Sequence, residues 1–297
     1  MRRVLTLLAS LAVIAGLTVV VPAPAQAAPG RGDTKDNPII FVHGFAASGG
    51  HDCSSTWLNA RTHLRNEGWT GPLSTFGYYG GSTNCTFQHD GNRDTSIHTV
   101  AHRLADVIYN EYSSNGLKVD VVAHSMGGLV IRSALLNVQR NTPGWPPYLY
   151  VEDVITLATP HEGAQDANFC AFWLQCRQMI PGSVFFDELE VLGTGTGGRP
   201  RLPVSAMGTD WTVMSSFEDD ITLESSGVNV DASHRLQYNA AQCTGDEPGV
   251  EHGDFPRRVA GSFCVRIYTR VEGWTGWILQ TSPVDRAYRG AYYNSSM

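Results

Sequence analysis

The chain has 297 residues, 42% of them hydrophobic and 16% charged, which is enough apolar content for one large globular domain. A formal net charge of −7 offers no basic surface to hold a polyanion and excludes a nucleic-acid partner. Beyond the first 27 residues no stretch is long and apolar enough to cross a bilayer, which excludes a multi-spanning membrane protein.

Residues 1–27 read as a secretory signal peptide. Arg2 and Arg3 precede the apolar run Val4–Val21, and Ala25-Gln26-Ala27 is a small-x-small cleavage site. The product is therefore expected to be secreted and extracellular, with residues 28–297 as a single domain. Six cysteines follow the site: Cys53, Cys85, Cys170, Cys176, Cys243 and Cys264. In an exported chain an even set predicts disulfides, and sequential pairing (53–85, 170–176, 243–264) is the favoured connectivity. Zinc would want close Cys/His spacing such as C-x-x-C, which is absent.

Residues 28–37 are polar and form a lead-in; Arg31-Gly32-Asp33 is read as a chance tripeptide. Pro38–Val42 is a buried-strand run that ends in His43-Gly44-Phe45 and a glycine-rich loop. Glycine lets such a loop approach a substrate carbonyl and turn its N–H inward, so Phe45 N–H is a candidate oxyanion donor. A helix is predicted over 55–68 and a strand over 73–79. The sequon Asn84-Cys85-Thr86 is expected to be silent, because Cys85 is assigned to a bridge. Residues 95–113 form an amphipathic helix with Val100, Leu104, Val107 and Ile108 on one stripe. His98 and His102 lie one turn apart on it, but no third ligand accompanies them, so they belong to a solvated face.

The most informative stretch is 119–132. Val119–Val122 is a β-branched run, Ala123-His124-Ser125-Met126-Gly127 is a tight turn of small residues around a serine, and Gly128–Val138 is a helix. Strand, sharp turn and helix are the context in which a G-x-S-x-G-like pattern is a nucleophile elbow. Ala123 replaces the first glycine and keeps the requirement for a small side chain. The turn lifts Ser125 above the sheet and leaves Met126 N–H beside it as the second oxyanion donor. A further strand, 151–157, runs into Thr159-Pro160-His161-Glu162-Gly163. Strands alternating with helices predict an α/β fold with a mostly parallel sheet.

His-Gly-Phe after one strand, Ala-His-Ser-Met-Gly-Gly after another and Thr-Pro-His-Glu-Gly after the next resemble secreted bacterial lipases of the α/β-hydrolase fold. The similarity is to actinobacterial and bacillus-type triacylglycerol lipases and esterases, whose elbow can also carry alanine, and it covers about residues 36–165. The resemblance implies ester hydrolysis by a Ser–His–Asp triad. In this fold the chain order is nucleophile, acid, histidine, so His124 and His161 are read as structural.

Residues 165–200 are rich in aromatics, among them Phe169, Phe172, Trp173, Phe185 and Phe186, and are assigned as a cap or lid insertion that binds acyl chains. The glycine-rich 193–198 neither follows a strand nor opens a helix and is a surface loop. A strand is predicted over Leu202–Met207, with the acid on the loop after it. Asp219 best matches the family's stretch, with Asp220 and Asp210 as alternatives. The base is His252, in a loop that can swing its ring, rather than His234, which looks like the start of the last strand. Residues 265–293 are left as a packed tail.

Ser125 is thus the expected nucleophile, His252 the base, Asp219 the orienting acid, and Phe45 and Met126 the oxyanion donors. The substrate is a small-molecule or lipid ester, with transient contact at a lipid interface; neither cofactor nor metal is needed, and a monomer is expected. Two other functions share the scaffold: an envelope acyltransferase using the same residues, and a non-catalytic binding protein.

Overall fold

The computed structural model describes residues 27–244 and 248–293. The predicted signal peptide falls outside the described residues except for Ala27. The centre is a sheet of ten strands among these residues: β1 (Ile39–Val42), β2 (Leu73–Gly77), β3 (Phe87–Gln88), β4 (Val119–His124), β5 (Val151–Leu157), β6 (Asp210–Ser216), β7 (His234–Tyr238), β8 (Phe263–Thr269), β9 (Gly273–Trp274) and β10 (Ile278–Gln280). Their spatial order is β10-β8-β7-β6-β5-β4-β1-β2-β3, with β9 also paired to β8. Every pairing from β3 across to β7 is parallel; β8 then turns antiparallel, as do β9 and β10 on it.

The central strands are buried because both faces of the sheet are covered; all seven residues of β5 are buried, Glu152 and Asp153 among them. One face packs on α3 (Ile97–Glu111) and α4 (Met126–Gln139), the other on α2 (Leu58–Asn66) and α8 (Pro283–Tyr292). Helix starts follow their caps. Ser96 accepts from Thr99 N–H to open α3, and Ser282 accepts from Asp285 N–H with Pro283 in the first turn of α8. Short helices complete the set: α1 (Cys53–Thr56), α5 (Leu174–Met179), α6 (Val184–Leu189) and α7 (Glu224–Val228). The disulfides are Cys53–Cys85, Cys170–Cys176 and Cys243–Cys264. Among the described residues no helix is long and apolar enough to cross a membrane.

Two expectations are corrected. Residues 202–207 are not a strand; the strand is Asp210–Ser216, each residue of which from Thr212 to Leu-paired Met214 has a partner in both β5 and β7. Pro203 removes a backbone donor from the earlier segment. Its groups instead brace β5 and β6, with Pro203 O accepting from the Trp211 indole at 2.8 Å and Ser205 Oγ donating to Val151 O at 2.8 Å. The strand that begins at His234 is also not the last, since β8 to β10 and α8 follow it.

Candidate active site

The site is built at the carboxyl ends of the parallel strands. β4 runs into Ser125, which has φ 54° and ψ −131° before α4 begins at Met126. A non-glycine residue in this region is strained and must be held by its surroundings. Ser125 N–H donates to Leu157 O at 2.8 Å, and Ser125 O accepts from Thr159 Oγ1 at 2.9 Å. Close approach explains the glycines around it. A Cβ on Gly127 would lie 2.5 Å from the carbonyl oxygens of Val42 and His43, and one on Gly44 would lie 2.7 Å from Ser125 Cβ. Sheet order, elbow and flanking helices together are the α/β-hydrolase arrangement.

Asp219 lies on the loop after β6, and His252 opens a short turn after β7. His252 Nδ1 and Asp219 Oδ2 are 2.8 Å apart. Oδ1 of Asp219 accepts from the N–H groups of Ile221 (2.9 Å) and Thr222 (2.8 Å), which fixes the carboxylate plane. His252 is steadied from behind, because its carbonyl accepts from His124 Nε2 at 2.9 Å. Burial, and then the His252 ring beside it, hold His124 well below the usual histidine range, so it is a neutral Nε2–H donor. Ser125 (9% exposed) and His252 (8%) are just open to one cavity of about 370 Å³. Phe45, Pro160, Ala164, Ala167, Phe169, Cys170, Met179 and Ile221 give it a mainly apolar wall, within the size range of small-molecule sites. The wall from Ala167 to Met179 comes from the segment assigned as a cap.

The alternative acid and base meet each other instead. Asp210 Oδ2 and His234 Nδ1 are 3.4 Å apart, but they start β6 and β7 and so lie at the opposite end of the parallel sheet from Ser125. Asp220 is exposed. His161 is fully buried, with Nε2 3.0 Å from Thr156 Oγ1 and its carbonyl accepting from Arg132 at 2.8 Å. His98 and His102 face separate partners, Glu188 and Asp106.

A carboxylate cluster that sequence separation concealed lies at the far end of the sheet: Asp120, Glu152 and Asp153, all buried. Arg31 bonds Asp153 at 3.0 Å, Lys118 pairs with Glu152, and Asn37 donates to Glu152 at 2.7 Å. Burial, and then the neighbouring carboxylates, raise Asp120 and Asp153 well above the usual range. These cations and amides already occupy the acceptors. Arg31 thereby has a docking role that its tripeptide did not suggest.

Residues not anticipated also surround the site: His51 lines the cavity, while Tyr78, Tyr79 and Gln175 hold the loop after β1. A tyrosine pair after a strand carries no sequence signal for that role.

Residues 33–180 match the model of a family described as "Putative serine esterase (DUF676)". Among solved structures, the chain is similar to the propeptide form of the Bacillus licheniformis lipase BlEst2 (22% identity, TM-score 0.41, 65% of this chain and 38% of that one). It is also similar to Aspergillus fumigatus lipase B (15% identity, TM-score 0.47, 77% and 52%) and to the lin2722 gene product of Listeria innocua (12%, 0.45, 88% and 96%). The chain thus spans well under two thirds of the length of the first two. No curated protein matches it.

Proposed function

We propose that this chain is an exported serine hydrolase that cleaves carboxylic esters, with Ser125 as nucleophile, His252 as base and Asp219 as orienting acid. The observation that carries the reading is the 2.8 Å Asp219–His252 pair opening onto the same cavity as a serine held at positive φ. The serine-esterase family match supports the ester-hydrolase class.

In this reading Ser125 Oγ attacks the ester carbonyl while His252 Nε2 takes its proton. The tetrahedral oxyanion is met by the N–H groups of Phe45 and Met126. His252 then protonates the leaving alcohol, and water attacks the acyl-enzyme with His252 again as base. Asp219 keeps the proton on Nδ1 and stabilises the imidazolium. No cofactor enters the sequence.

The substrate proposed is a lipid or other apolar ester. Its acyl chain lies along the wall that runs from Ala167 to Met179, part of a cap spanning residues 165–200 of a single domain, 28–297. Phe169 (84% exposed) and Phe172 (67%) extend that wall onto the surface, where they would meet a lipid interface. The protein acts as a secreted monomer; three disulfides suit an exported chain.

The test is hydrolysis of chromogenic esters of increasing acyl length by the wild type and Ser125→Ala. Turnover should fall by about 10⁴-fold or more in the variant, and the wild type should prefer medium over acetyl chains. Equal turnover by both proteins would sink the assignment. Product analysis with added alcohol separates hydrolysis from acyl transfer.

A further inference from the structure

The loop after β1 is held at His43, Gly44 and Ala46, and the peptide that matters is the one joining Gly44 to Phe45. Tyr78 OH shares its one proton between His43 O at 2.6 Å and Gly44 O at 2.8 Å, and Gly44 O also accepts from His43 Nδ1 at 2.8 Å. One peptide further on, Ala46 N–H donates to Tyr79 OH at 3.3 Å. Tyr79 in turn donates to Gln175 Oε1 at 2.6 Å. Gln175 is fully buried in α5, and its Nε2 donates to Asn92 O and Thr95 O. Each holder is a fixed donor or acceptor. Burial keeps Tyr78 un-ionised, and burial with His51 alongside pushes His43 down to about 3, so His43 is neutral with its proton on Nδ1.

A trans peptide is planar, with C=O and N–H pointing in opposite directions. Anchoring the Gly44 carbonyl therefore dictates where the Phe45 N–H points. Holding the Ala46 N–H fixes the other side of the same residue. We propose that Tyr78 and Tyr79 are positioning residues that aim the Phe45 N–H at the substrate oxyanion by holding the two peptides on either side of Phe45. This rests on the ester-hydrolase reading above. It also joins the oxyanion loop to the acyl wall, because Gln175 precedes the bridged Cys176. An oxyanion donor works by being aimed before the charge appears, so a released peptide loses transition-state stabilisation without losing ground-state affinity.

The test uses the full chain, Tyr78→Phe and Tyr79→Phe on a soluble short-chain chromogenic ester. It adds inhibition by an alkylboronic acid, whose tetrahedral anionic adduct on Ser125 places a boron-bound hydroxyl in the oxyanion position. In Tyr78→Phe, kcat should fall at least about tenfold and KM should change by no more than about twofold. Boronate affinity should weaken by the same factor as kcat/KM. Tyr79→Phe should show a smaller loss of the same kind, and it decides the matter if Tyr78→Phe does not fold. A folded variant with wild-type kcat and boronate affinity overturns the assignment, as does a fall in kcat without a matching loss of boronate affinity. A wild type without turnover overturns the hydrolase reading and this assignment with it; an active wild type with unaffected variants overturns this assignment alone.

Discussion

Asp219 divides its two oxygens between two tasks. Oδ1 is fixed by the N–H groups of Ile221 and Thr222, which leaves Oδ2 for His252 Nδ1. An Asn side chain would have to give up one task or turn a donor toward His252. Asp219→Asn should therefore lower kcat on a short ester by about 10³–10⁴-fold with little change in stability, while Asp220→Asn, at an exposed position, should keep kcat within about twofold. The reverse pattern would place the acid elsewhere. Sequence alone left these neighbours unresolved, because the choice depends on a turn two and three residues downstream rather than on residue type. The strand, turn and helix around Ser125, the proposed nucleophile, are legible in sequence, because small residues at 123 and 127 mark a tight turn between two apolar elements. The groups that hold the loop after β1 were not legible, because Gln175 is more than a hundred residues from the loop it supports and has no motif.

At the level of elements, the β4–α4 elbow is set by how near α4 comes to β1. A methyl group on Gly127 would meet backbone oxygens of Val42 and His43, which cannot rotate away as a side chain could. Gly127→Ala should cost about 1–3 kcal/mol in urea unfolding and lower kcat by shifting Ser125. Gly276→Ala, where a Cβ meets nothing within 4 Å, is the control and should be neutral. Neutral behaviour of Gly127→Ala would mean that the helix has room to move. Periodicity located β1, β2, β4 and β5, whose β-branched and apolar residues are bounded by glycine-, proline- or polar-rich loops. It failed at β6, where Thr212, Ser215 and Ser216 interrupt the apolar pattern although all are buried. It also failed beyond β7. There, strands are short and antiparallel, and part of the packing comes from cations over rings, with the Arg235 guanidinium 3.5 Å above the Tyr268 ring.

Across the whole molecule the two ends of the sheet have different chemistry. The carboxyl ends bring Ser125, Asp219 and His252 together, and the amino ends hold Asp120, Glu152 and Asp153 beneath Arg31 and Lys118. Buried neutral histidines add a pH dependence to stability. Burial, and then Arg132, hold His161 well below the ordinary range. Because its folded pKa lies below its unfolded one, the unfolded chain takes up more protons as pH falls below about 6.5, and the stability that neutral His161 provides is lost on the acid side. The buried carboxylates act in the opposite sense, so the informative quantity is a difference between proteins. His161→Gln should destabilise the fold most near pH 7.5. The gap to the wild type should shrink by about 1 kcal/mol near pH 5.5. A gap that stays constant with pH would mean that His161 is not held neutral.

The central claim is that Ser125 is an activated nucleophile in a cavity served by His252. Its most direct measurement is to treat the full chain with a fluorophosphonate, digest it and locate the adduct by mass spectrometry. The account predicts one adduct, on Ser125, strongly reduced in a folded His252→Gln variant. A folded wild type that carries no adduct, or carries it on another residue, would contradict the account.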